Sequence, residues 1–155
     1  ISETDSDMLR RVESEIVGQH RFIESRLRGS AETSLESFAE AHTPDFRLHG
    51  MAGTVLERLE VISSFGGARG AEPALSIPID AVRLVSVDLS TIAATYHCCH
   101  LSLLPPIIAN TYVERHEGTA TPSTRLCPVV FRRTAADAER LYRHHLQETR
   151  VTTPR

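Results

Sequence analysis

Residues 42–62, HTPDFRLHGMAGTVLERLEVI, decide the fold. Pro44 has no amide hydrogen and pushes Thr43 away from helical angles, so a helix running through Leu35, Phe38 and Ala39 is expected to stop near His42. From Asp45 to His49, Phe46 and Leu48 alternate with Arg47 and His49, which is strand spacing. Gly50 and Gly53 bracket a turn, Thr54 to Leu56 return as a short strand, and Leu59, Ile62 and Phe65 recur at helical steps. The stretch reads helix, hairpin, helix.

Upstream, Thr4 or Ser6 is placed to cap a helix whose Met8, Leu9, Val12, Ile16, Ile23 and Leu27 form an apolar stripe. Arg26 and Arg28 suit its negative C-terminal end and Gly29 stops it. Ala31 to Ala41 reads as a second, shorter helix. Downstream, GGARGAEP at 66–73 is a loop dividing a helical half from a strand half. The runs SIPIDAVRLVSVD, STIAATYHCCHLS, IIANTYVERHE, STRLCPVVFRR and ERLYRHHLQETRV then predict four or five antiparallel strands. Pro78 marks an edge or a strand start, and LLPP at 103–106 a turn or an excursion. Helices followed by a meander of strands is α+β, with helices packed on one face of a curved sheet. The 155 residues make one domain, 1–155.

Composition removes several function classes. Hydrophobic residues are 41% and charged residues 24%, as in globular proteins, and no apolar run approaches the roughly 20 residues of a membrane span. A net charge of -3 with scattered arginines leaves no basic stripe for nucleic acid. The 17 basic residues are all Arg. Without lysine there is no lysine Schiff base and no Walker-type phosphate loop, so no such cofactor chemistry is expected. Three cysteines, Cys98, Cys99 and Cys127, make a poor disulfide framework and point to a reducing, cytoplasmic compartment. The sequence begins at Ile1, so residues are expected before it; the acidic ISETDSD is no part of a signal peptide.

Taken together, the RFIESRLRGS helix end, the AHTPDFRLHGMAGTVLERLEVI unit, the ATYH strand and the closing STRLCPVVFRR and LYRHHLQET strands resemble the nuclear transport factor 2-like superfamily. The likeness is greatest to its ketosteroid-isomerase-like and SnoaL-like members and covers almost the whole chain. It implies a cone-shaped, curved antiparallel sheet with three N-terminal helices on its concave face, a cystatin-like α+β barrel. It also implies a homodimer and an apolar cone pocket for a small organic molecule. The isomerase pattern departs at two positions. Phe22 stands where the family has an oxyanion-binding tyrosine, and the proton-abstracting aspartate falls at His49 or Gly50, where there is no carboxylate.

Two polar clusters remain. In YHCCH, Tyr96 to His100, alternation puts His97 and Cys99 on one face and Tyr96, Cys98 and His100 on the other. Recognised metal-ligand spacing is absent, so no metal is assigned. In RHHLQE, Arg143 to Glu148, the same rule puts Tyr142, His144, Leu146 and Glu148 on one face, with Arg143, His145 and Gln147 on the other. The blander reading of this cluster is satisfied cross-strand pairs at a dimer surface.

For an isomerase, cyclase or dehydratase, the acid–base candidates are His49 with His97 or His145, and Glu148 as orienting carboxylate. The candidate pocket walls are Phe22, Phe38, Phe46, Tyr112 and Tyr142, equally readable as core. The rival reading is a non-enzymatic association or accessory domain binding a protein partner.

Overall fold

The computed structural model describes residues 3–29, 34–50, 52–67, 70, 75–100, 123–134 and 140–150. Three helices, α1 (Glu3–Arg28), α2 (Leu35–Glu40) and α3 (Arg58–Gly67), accompany seven strands: β1 (His42–His49), β2 (Val55–Glu57), β3 (Ile79–Val87), β4 (Thr91–His100), β5 (Ser123–Arg132), β6 (Tyr142–Gln147) and β7 (Thr149–Arg150). The fold is α+β. One curved sheet runs β2-β1-β6-β5-β4-β3, with β7 attached to β5, and it stays open between its β2 and β3 edges. No helix among the described residues is long and apolar enough to cross a membrane.

The 42–62 stretch forms the predicted hairpin. Gly53, at φ 85, takes the left-handed turn that a side chain would oppose, and Gly50 N donates to Thr54 O at 2.8 Å. The strand starts earlier than Pro44 suggested, at His42. Pairing with β6 is irregular between His42 and Arg47, so the missing Pro44 amide falls in a gap of the ladder. Gly29, at φ 91, ends α1 as expected, whereas Thr4 and Ser6 lie inside that helix rather than capping it. Ser34 caps α2 by accepting from the Ser37 amide. The strand run IIANTYVERHE and the excursion after Leu101 lie outside the described residues.

Not every pair is antiparallel. β1 runs parallel to β6, because the chain reaches β6 only after crossing the sheet. All three helices contribute to the core, with Phe38 from α2 and Val61 and Phe65 from α3. Met8, Val12, Ile16, Ile23 and Leu27 of α1 are buried against the inner sheet face, where Phe46, Leu48, Ile92, Ala94, Val129, Phe131 and Leu146 alternate inward. Arginines tie the helices down: Arg26 Nε donates to Phe65 O at 2.9 Å, and Arg28 Nε to Leu75 O at 2.6 Å. Phe22 stacks on Phe38 at 4.5 Å, and Phe38, His42, Phe46 and Phe65 continue the aromatic chain.

Candidate functional site

The sheet interior is less apolar than its strands advertise. Gln19, His20, Arg125, Arg143 and Glu148 are all buried between α1 and the sheet, with Tyr96 1% exposed. Each arrives by ordinary periodicity. Gln19 and His20 follow Ile16 by three and four residues and so share its helix face. Tyr96 and Arg125 occupy inward positions of adjacent strands; the register pairs Tyr96 with Cys127 and Cys98 with Arg125, so Tyr96 and Arg125 are diagonal neighbours.

The connections within this set are direct. His20 Nε2 and Tyr96 Oη are hydrogen-bonded at 2.9 Å with the rings edge to face. Arg125 Nη1 meets Glu148 Oε2 at 2.5 Å, a buried ion pair. Arg143 Nε donates to His42 Nε2 at 3.3 Å, and its Nη1 reaches Glu15 at 3.5 Å. Two buried donor-capable atoms, His20 Nδ1 and Gln19 Nε2, have no hydrogen-bond partner among the described residues. Most buried polar atoms are paired, so orphaned ones ask for an explanation.

Electrostatics fix the protonation of this interior. Burial, reinforced by the charges of Arg143, Arg21 and Arg125, lowers the His20 pKa to about 3, so its ring is neutral. His42 is lowered to about 3 by burial and Arg143, against a raising bond to Phe38 O. That bond fixes its tautomer: Nδ1–H donates to Phe38 O at 2.7 Å, leaving Nε2 to accept from Arg143. Burial raises the Glu148 pKa, while the charge and hydrogen bond of Arg125 oppose it.

The predicted acid–base residues fall into three places. His49 and His145 come together on the outer face, with ring centroids 4.8 Å apart. His97 is also on the outer face, 3.9 Å from Asp80 across the β3–β4 pair. Glu148 lies inside with Arg125, away from both. Its amide nevertheless donates to His49 O at 2.8 Å, so backbone links what the side chains separate.

Simple alternation fails in β6. Val130 pairs with His145 but Phe131 with Arg143, so His144 is an extra residue, a bulge. The bulge brings Arg143 onto the inner side with Leu146 and Glu148, instead of opposite them, and leaves His144 bonded to Thr43 and near Asp45. In β4 alternation holds, with Tyr96 and Cys98 buried and His97 and Cys99 half-exposed.

Of the pocket-wall candidates, Phe38 and Phe46 are buried and Phe22 half-buried in the aromatic chain, Tyr142 is half-buried beneath the Arg140 guanidinium at 4.9 Å, and Tyr112 lies outside the described residues. An open hollow of about 580 Å³ is lined by Asp7, Arg10, Arg11, Ser14, Glu15 and Leu141. It shares Glu15 with the Arg143 end of the interior network.

No protein-family model matches the chain, and no curated protein does. Solved structures do. An NTF2-like protein of unknown function from Pseudomonas aeruginosa is 26% identical, with TM-score 0.73 over 92% of this chain and 99% of its own. A candidate dehydratase of the NTF2-like family from Streptomyces avermitilis is 20% identical, with TM-score 0.62 over 93% and 98%. The association domain of CaMKII from C. elegans is 9% identical, with TM-score 0.62 over 96% and 99%.

Proposed function

We propose that this chain, an NTF2-like protein by fold, binds a small organic molecule carrying a carbonyl or enol oxygen between α1 and the inner sheet face, and transforms it by acid–base chemistry of the isomerase, cyclase or dehydratase type. The observation that carries this reading is the buried His20–Tyr96 hydrogen bond, next to two donor atoms with no hydrogen-bond partner among the described residues.

The chemistry follows from His20 being neutral. With Tyr96 Oη donating to Nε2, the ring's proton sits on Nδ1, and a neutral imidazole then offers that N–H to an oxygen on which negative charge develops. Gln19 Nε2 is a second donor of the same kind. Tyr96 stands in the relay as the group that yields or recovers a proton, in place of the hydroxyl missing at Phe22. Arg125, paired with Glu148, holds positive charge near the same oxygen without leaving an uncompensated buried ion. The hollow bounded by Glu15 lies at the Arg143 end of the same network.

A thermal-shift screen with cyclic ketones and the phenols that imitate their enols tests this. Ligands that raise the melting temperature of the native protein, and lose that effect in folded His20→Phe and Tyr96→Phe variants, are the expected result. Equal shifts in native and variant proteins would place binding elsewhere.

A second reading has its own observation. The outer face carries Ala93, Thr95, Leu126, Pro128 and Val130, with Val85 65% exposed beside them. A second copy of the chain covering this face would make the homodimer, in keeping with the fold's likeness to an association domain.

A further inference from the structure

The outer face also holds a pair of imidazoles that the interior chemistry does not use. His49, on β1, and His145, on β6, project from parallel neighbouring strands whose register pairs Leu48 with Leu146 and Arg47 with His145. Their ring centroids are 4.8 Å apart and the planes tilt by 41°. The backbone beneath is held by the bond from Glu148 N to His49 O at 2.8 Å. Both side chains are half-buried, so they are accessible yet restrained.

We propose that His49 and His145 form a two-histidine chelate for a borderline divalent transition ion, of the class Cu²⁺, Ni²⁺ or Zn²⁺, with water or an exogenous ligand filling the remaining positions. Metal–nitrogen bonds of about 2.0–2.1 Å bridge nitrogens up to about 4 Å apart. Rings with centres 4.8 Å apart reach that span by turning about their Cβ–Cγ bonds. Imidazole suits these ions and not calcium or magnesium, which want oxygen ligands.

Surrounding groups favour ligation by this pair. His144 is engaged elsewhere, with Thr43 at 2.9 Å and Asp45 at 3.3 Å. Arg47, the cross-strand neighbour of His145 on the outer face, is also in register with Glu57 of β2 on its other side. From β5, the residue opposite His145 is the uncharged Val130. Among the described residues no third His, Cys, Asp or Glu joins them, so the coordination sphere stays open. This inference is independent of the interior reading, and neither stands or falls with the other.

Calorimetric titration of the tag-free chain with Ni²⁺ in a non-coordinating buffer at neutral pH tests it. One ion per chain is expected, with His49→Ala and His145→Ala each weakening binding by about tenfold or more. His97→Ala, on the same face but away from the pair, leaves binding unchanged. His49→Gln and His145→Gln give the same losses, so a poorly folded alanine variant does not decide the matter. Selective broadening of the His49 and His145 ring signals by Ni²⁺ would support the site. Absence of saturable binding, or binding unchanged by all four substitutions, would overturn it.

Discussion

His20 and Tyr96, 76 residues apart in the chain, meet at 2.9 Å where α1 crosses the inner face of β4. Removing the phenol oxygen with Tyr96→Phe leaves the ring's packing intact but strips a buried imidazole of its partner. A buried polar atom without a partner costs about 1–3 kcal/mol. Urea unfolding should register a loss in that range, with an unchanged denaturant slope. A variant as stable as the native protein would mean that the bond contributes nothing to folding.

Acid should destabilise the protein through two histidines. The folded pKa of both His20 and His42 is about 3, below the ordinary 6.5 of the unfolded chain. Above pH 6.5 both are neutral in either state and contribute no pH dependence. As pH falls from there to about 3, the unfolded chain binds protons that the folded one refuses, so stability is lost. At pH 4.5 the linkage amounts to about 2–3 kcal/mol per histidine. Glu148 works in the opposite sense: its raised pKa returns stability as pH falls through its folded value. Unfolding at pH 7.5 and 4.5 should therefore show a fall that shrinks in His20→Gln and in His42→Gln. An identical fall in both variants would remove these two residues from the acid response.

The Arg125–Glu148 pair should be far more sensitive to losing one member than to losing both. Each charge is buried, at 1% and 6% side-chain exposure, and each compensates the other. Arg125→Met alone strands a carboxylate and should cost about 3–5 kcal/mol, while Arg125→Met with Glu148→Leu should recover much of it. A double-mutant cycle by chemical denaturation measures the coupling. Additive losses would show that the two charges do not depend on each other.

The hairpin and the inward alternation of β4 were legible because they depend on short-range geometry: glycine at a turn, and side chains alternating along one strand. The β6 bulge was not. Whether His144 is an extra residue is decided by pairing with Val130 and Phe131 of β5, and one sequence has no register. That single residue moved Arg143 to the inner side and left His145 outside. The interior polar set was hidden for a different reason. Gln19 and His20 fill the gap between Ile16 and Ile23 on the apolar stripe, and Arg125 begins the alternating series continued by Cys127, Val129 and Phe131. Those positions were signals that a polar residue would face inward. The partner 76 residues away was not, because only tertiary packing creates it.

If a second copy covers the outer face, Leu126→Glu should turn a dimer into a monomer in sedimentation equilibrium. Leu126 is half-buried on that face, beside Pro128 and Val130, while its inward neighbours Arg125 and Cys127 are fully buried. A buried glutamate repeated across a two-fold interface sets like charges against each other and desolvates both. Far-ultraviolet circular dichroism should remain native. Unchanged sedimentation would remove this face as the dimer contact.

Thiol chemistry should separate the three cysteines. Cys98 and Cys127 are free, buried and in contact, with sulfurs 3.7 Å apart. The hydrogen bond to Cys98 and burial push the Cys127 thiol well above its ordinary pKa, holding it in the protonated form that does not attack disulfides or electrophiles. Cys99, next along β4, points the other way and is half-exposed. A disulfide reagent at pH 8 should therefore label Cys99 in the native protein and reach Cys98 and Cys127 only after denaturation. Peptide mapping reads this directly. Rapid native labelling of Cys127 would mean that solvent enters the interior beside Arg125 and Tyr96, and the same opening would then give a ligand its way to His20.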